Sequence, residues 1–169
     1  MKTELIHMDS LLLGGMNFYG DPFSSKGGWE SENEIGKTFS RFNSYKSKTF
    51  EQAFFLHTDR MFELHIYSDE TALRGYFEIF IGEEVNTAQL PIQLCSKFIP
   101  ASDYIKITLS GMEITQDWYY QLEHSIAPSY QVERKNSYLL QVYDERFIGM
   151  EQLEASVMDV FIPVEQKTV

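Results

Sequence analysis

Alternation between apolar and polar positions is the dominant signal along this chain. Phe62-Glu63-Leu64-His65-Ile66-Tyr67, Phe77-Glu78-Ile79-Phe80-Ile81-Gly82, Tyr138-Leu139-Leu140-Gln141-Val142-Tyr143 and Met158-Asp159-Val160-Phe161-Ile162-Pro163 follow a period near two, as half-buried strands do. Strands are predicted over Ser10 to Tyr19, Ala53 to His57, Met61 to Tyr67, Arg74 to Gly82, Tyr104 to Leu109, Tyr138 to Tyr143 and Val157 to Val164. Two stretches follow the helical period instead. Ile35, Phe39 and Phe42 recur at i, i+4, i+7 behind Ser31-Glu32-Asn33-Glu34, whose S-x-x-E spacing predicts a capping box. Ile114, Trp118 and Leu122 recur at i, i+4, i+8, and Pro128 is expected to stop that helix. Gly20 to Gly28 reads as a mobile loop, with Phe23 inside it and Trp29 just beyond, and is expected to act as a lid.

Each half therefore reads strand, helix, strand, strand, with the halves at about residues 5–90 and 91–166. Residues 62–67 lie on 138–143 without a gap, 77–82 lie on 158–163 without a gap, and Ile35 and Phe39 fall on Ile114 and Trp118. The expectation is one α+β domain over 1–169, made of duplicated β-α-β-β units that form an antiparallel sheet with two helices on one face. Strand alternation then sorts the side chains. Phe62, Leu64, Ile66, Phe77, Ile79, Ile81, Leu140, Val142, Met158, Val160 and Ile162 form an apolar set expected under the helices. The set expected opposite holds Glu63, His65, Tyr67, Tyr76, Glu78, Phe80, Leu139, Gln141, Tyr143, Val157, Asp159 and Phe161. Large rings beside carboxylates, an imidazole and an amide suit a mostly apolar pocket with a few orienting polar groups.

Length and charge narrow the classes. A chain of 169 residues suits one domain. Its 14 Lys and Arg against 25 Asp and Glu give a formal charge of −11, which argues against duplex DNA as a direct partner. No run approaches the length of a membrane span, and Met1 to Met8 lacks the layout of a secretory signal, so a cytoplasmic protein is expected. Cys95 is the only cysteine and reads as a small hydrophobe in or beside a strand. His7, His57, His65 and His124 show no ligand-pair spacing, although Glu63-x-His65 could reach one ion; no metal or cofactor is expected. Gly14-Gly15 and Gly27-Gly28 lack the spacings of phosphate-binding loops.

Five pieces in order carry a resemblance. They are Tyr76 to Val85 (an aromatic strand, then Gly82, Glu84 and Val85), Phe98-Ile99-Pro100-Ala101-Ser102-Asp103-Tyr104, Trp118, Leu140-Gln141-Val142-Tyr143-Asp144, and Val160-Phe161-Ile162-Pro163-Val164. Together they resemble the GyrI-like, or AraC-type, effector-binding domain of bacterial transcription regulators, over nearly the whole chain and in a stand-alone form. The resemblance implies duplicated units around a central ligand cleft that takes drug-like molecules, often cationic or planar aromatic. The candidate walls are Trp118, Tyr143, Tyr67, Phe80, Phe161 and Tyr104, with Glu63, His65, Glu78, Gln141 and Asp159 as candidate polar contacts. Family members often carry a Glu facing the ligand cation at the position of Gln141, so cation preference here needs Glu63, Glu78 or Asp159 to supply the charge. Two other readings follow from the same resemblance: a hydrolase of strained electrophiles, with His65 in place of the missing carboxylate base, and a protein-interaction module of the topoisomerase-inhibitor kind. The binding module is favoured, and no catalytic residue is assigned.

Overall fold

In the computed structural model, which describes residues 1–48, 53–56, 59–135 and 138–167, nine strands form one antiparallel sheet. They are β1 (Lys2–Met8), β2 (Leu11–Gly20), β3 (Met61–Ile66), β4 (Phe77–Glu84), β5 (Cys95–Ile99), β6 (Ser102–Ser110), β7 (Val132–Arg134), β8 (Tyr138–Tyr143) and β9 (Val157–Gln166). The spatial order is β1-β6-β9-β8-β3-β4-β2-β5, with β7 alongside β9. Strands β1, β5 and β7 have no counterpart in the sequence reading. The stretch predicted as a strand from Ala53 contributes only a bridge from Phe55 to Val85, and its end at His57 lies outside the described residues. Arg74 to Tyr76 precede β4 as a turn after the short helix α2 (Asp69–Ala72), with Gly75 at φ +78.

The duplication is visible in the register. Leu64 faces Phe80 between β3 and β4, and Leu140 faces Phe161 between β8 and β9. The next pairs, His65 with Ile79 and Gln141 with Val160, also correspond. The ungapped alignment of the two halves thus maps one strand pair onto the other residue for residue. β3 and β8 meet at the centre, with Leu64 opposite Leu140 on the pseudo-two-fold axis. Each half also has a leading strand, and the two are exchanged: β1 pairs with β6 and β5 pairs with β2. The repeated unit is therefore β-β-α-β-β.

Helix α1 (Glu34–Lys48) starts two residues later than a capping box at Ser31 would place it. Its cap is Asn33, 1% exposed, whose Oδ1 accepts from the Gly36 amide at 3.0 Å while its Nδ2 donates to the Gly28 carbonyl at 2.7 Å. That side chain satisfies an orphan helix donor and ties the glycine loop to the helix. The second helical layer consists of α3 (Trp118–Gln121), a π turn (Leu122–Ile126) and α4 (Ala127–Tyr130), capped by Asp117 Oδ1 on the Tyr120 amide at 3.0 Å. Pro128 does not stop this layer. It lies inside the continuous helical run, shortly after the π turn, and the chain leaves the helix at Gln131, in the left-handed region at φ +58.

The register also corrects the two faces. Directly opposed residues share a face, so Ile79 opposite His65 and Ile81 opposite Glu63 stand with the polar set of β3. The helix-covered face carries Phe77, Ile79, Ile81, Leu139, Met158, Val160 and Ile162, packed with Phe42, Ile114, Leu122 and Ile126. On the other face the two ends of the sheet come together: Leu13 and Ile99 pack in one cluster with Phe62, Leu64, Phe80, Tyr104, Leu140 and Val142. At Gly82, the glycine of the family-like segment, an added Cβ would lie 2.4 Å from the Gly14 carbonyl oxygen. Gly82→Ala is therefore expected to lower stability by about 1–3 kcal/mol, as overpacking against backbone does, and a urea melt reads the loss.

Candidate functional site

Between the two helical layers, the centre of the covered face is polar. Glu63 of β3 lies directly opposite Gln141 of β8, and His65 and Tyr143 stand one step away on the same face. Glu63 is 2% exposed. Its Oε1 accepts from His65 Nε2 at 2.6 Å and its Oε2 from the Tyr143 hydroxyl at 2.8 Å. The Tyr67 hydroxyl lies 3.4 Å from His65 Nδ1. The Tyr143 oxygen is also 3.0 Å from the Gln141 side-chain amide. Since its one proton goes to Glu63, the amide best serves it by presenting NH2. Burial, then the Glu63 charge, push the Tyr143 hydroxyl well above its ordinary pKa, and burial pushes Tyr67 up to about 12. Both phenols remain protonated donors.

Among the described residues no Lys or Arg lies within ion-pair distance of this carboxylate, whose basic neighbour is the His65 imidazole at 2.6 Å. The other two acids considered are different. Glu78 and Asp159 point to the opposite face, where Lys97 Nζ is 2.8 Å from Glu78, and Arg146 Nη2 and Lys106 Nζ are 2.6 and 3.4 Å from Asp159. Thr108 Oγ1 also donates to Asp159 at 2.6 Å. Phe80, Phe161 and Tyr104 belong to that same face, and the Tyr104 hydroxyl lies 2.8 Å from that of Tyr138. Of the eleven residues singled out from the sequence, the structure brings Glu63, His65, Tyr67, Gln141 and Tyr143 together, leaves Trp118 partly buried in the second helical layer, and places the other five behind the sheet.

Aromatic rings close the space above this floor. Phe39 of α1 meets Tyr143 edge-on at 5.6 Å, Phe147 meets it at 4.8 Å, and Phe77 covers His65 at 5.3 Å and Tyr67 at 5.0 Å. The loop expected to be a lid reaches both sides: Phe23 lies 6.3 Å from Phe77 and Trp29 lies 6.4 Å from Phe147. Trp118, partly buried, packs edge-on to Tyr119 at 5.9 Å. The sequence reading placed Phe77 under the helices, where it lies, but missed it as a wall because it put the polar set of β3 and β8 on the opposite face. It also missed Tyr119, Arg134 and Phe147, which lie outside the strands used to sort the faces. Arg134 Nη1 donates to the Tyr119 hydroxyl, its guanidinium carbon sits 5.5 Å from that ring, and its charge acts on Tyr67.

A shallow depression of about 470 Å³ at the β1–β6 edge, lined by Lys2, Ser110, Met112 and Glu113 among others, contains none of these side chains. Among the described residues no group of three or more His, Cys, Asp or Glu is placed to hold a metal, and no helix is long and apolar enough to cross a membrane. Burial pushes the Cys95 thiol up, away from a reactive thiolate.

The family model for Cass2, described as an integron-associated effector binding protein, matches residues 4–164. Among curated proteins no sequence matches this chain. In structure it resembles SAV2435 bound to tetraphenylphosphonium (TM-score 0.67, 16% identity, 98% of this chain and 94% of that one). It also resembles EcmrR in a DNA complex (TM-score 0.72, 13% identity, 98% of this chain and 58% of that one). The integron cassette protein VCH_CASS2 from the mobile metagenome of Vibrio cholerae gives a TM-score of 0.64 at 13% identity, over 96% and 95% of the chains. At these identities the likeness is one of fold.

Proposed function

Because the chain belongs to the Cass2 family of integron-associated effector binding proteins, we propose that it binds aromatic, cationic small molecules in the cleft between α1 and the second helical layer. The observation that carries this reading is Glu63, a carboxylate buried at the centre of the sheet whose partners are the His65 imidazole and the Tyr143 hydroxyl. A buried charge is costly unless it is paired, and among the described residues no Lys or Arg reaches this one, whereas Glu78 and Asp159 have their own cations. A cationic ligand completes the pair. Glu63 also answers the departure at Gln141: the acid stands on the facing strand, directly across the β3–β8 pair. Both of its oxygens are already engaged, which suits a fixed charge better than a base that must take a proton from water.

The rings of Tyr67, Phe77, Phe39, Tyr143 and Phe147 supply the walls. A ring facing a cation contributes about 0.5–2 kcal/mol, and rings tolerate varied shapes. Phe23 and Trp29 contact the wall rings from outside, so the glycine loop serves as the lid that opens for entry.

The solved relative SAV2435 is described with tetraphenylphosphonium bound, which makes that cation the natural probe. Tetraphenylphosphonium at 100 times its dissociation constant is expected to add about 2.7 kcal/mol of stability, read as a rise in melting temperature. Neutral triphenylphosphine oxide at the same concentration is expected to do much less. The absence of any shift with the cation, or an equal shift with the neutral compound, overturns the reading.

A further inference from the structure

Arg134 carries a second, opposite charge at the wall of the same cleft. It lies on β7 opposite Val164, on the helix-covered face, and its charge acts on both Tyr67 and Tyr119. Only Nη1 is satisfied within the protein, by donation to the Tyr119 hydroxyl, which in turn interacts with Glu123. Nε and Nη2 are buried with no hydrogen-bond partner, and among the described residues no carboxylate lies within ion-pair distance of the guanidinium. Buried donors without partners are rare and destabilising, more so when charged.

The two orphaned groups are neighbours. Nε–H and one Nη2–H point the same way along a single edge of the planar guanidinium, the edge that grips a carboxylate through two parallel bonds. We infer that Arg134 is an anion-recognising residue of the cleft and that the preferred ligand is amphoteric, with a cationic centre for Glu63 and a carboxylate for the free edge of Arg134. The inference rests on the cation-binding reading above and narrows its ligand class. The polar row then has an ordered polarity, from the guanidinium through Tyr67 and His65 to the Glu63 carboxylate.

Two probes separate the readings: tetraphenylphosphonium, and (4-carboxyphenyl)triphenylphosphonium, which differs by one carboxylate. Isothermal titration of the full chain is expected to give at least about tenfold tighter binding of the carboxylated probe, the worth of a charge-assisted bidentate contact. In Arg134→Met the preference is expected to vanish, read as the ratio of the two affinities. Arg134→Met deletes two unsatisfied buried donors together with the bond to Tyr119, and a urea melt checks that the variant is folded before titration. Arg134→Lys keeps the charge without the paired edge and is expected to show a reduced preference. Equal affinities in the wild type, or a preference that survives in Arg134→Met, overturn the inference. Binding of tetraphenylphosphonium alone overturns it and leaves the cation reading standing, whereas binding of neither probe overturns both.

Discussion

Replacing Phe80 with alanine is expected to lower the folding free energy by about 3–5 kcal/mol, the usual cost of emptying a buried phenylalanine site, and to leave cation affinity per folded molecule unchanged. Phe80 is 0% exposed and packs with Leu64, Leu140 and Tyr104 on the face away from the helices. By alternation alone it stands beside Tyr67 and Tyr143 as a pocket wall. The register removes it from there, because it faces Leu64 and not His65. Urea denaturation gives the stability and tetraphenylphosphonium titration under native conditions gives the affinity. A large loss of affinity with little loss of stability returns Phe80 to the cleft and refutes the face assignment.

Glu63→Gln is expected to act in the reverse sense. Cation affinity should fall by about 2–5 kcal/mol, as it does when one partner of a buried charge pair is neutralised. Stability should hold or rise, since the amide carries none of the desolvation cost of a buried carboxylate without a Lys or Arg partner. The substitution keeps the side-chain shape, so Tyr143 or His65 retains an oxygen to donate to. A gain in melting temperature together with a loss of binding separates a functional charge from a structural one, and such trade-offs are common at sites that hold strain for a ligand. Unchanged cation affinity in this variant moves the recognising charge elsewhere.

The internal repeat was the most informative feature legible in the chain. The ungapped match of residues 62–67 to 138–143 and of 77–82 to 158–163 carries enough information to derive the β8–β9 register from that of β3–β4, and the observed pairs agree. Alternation within one strand also placed Glu63, His65 and Tyr67 on a shared face, and Gln141 with Tyr143. What alternation cannot supply is the phase between strands. The link from β3 to β4 contains the short helix α2 and the turn at Gly75, and its path decides whether Ile79 or Phe80 faces His65. The strands β1 and β5 are edges with mixed, partly exposed residues, so neither has a strong apolar period. Asn33 outcompeted Ser31 as the helix cap because its amide also holds the Gly28 carbonyl, a contact made through the fold of the loop. Arg134 stands with Lys135 as one of two adjacent basic residues just past a helix end in sequence, and only its two orphaned nitrogens in the folded chain set it apart.

The exchange of leading strands has a consequence for how the protein is made. The partner of β1 is β6, with Lys2 opposite Thr108, so β1 is synthesised well before the strand it pairs with. Such long-range pairing slows folding and leaves strand edges open in the interval. Neither half is a self-sufficient unit, because each lends the other a strand. A break between β4 and β5 would leave two fragments, each missing one edge and each carrying the strand the other needs, so that the two would be stable together and not apart.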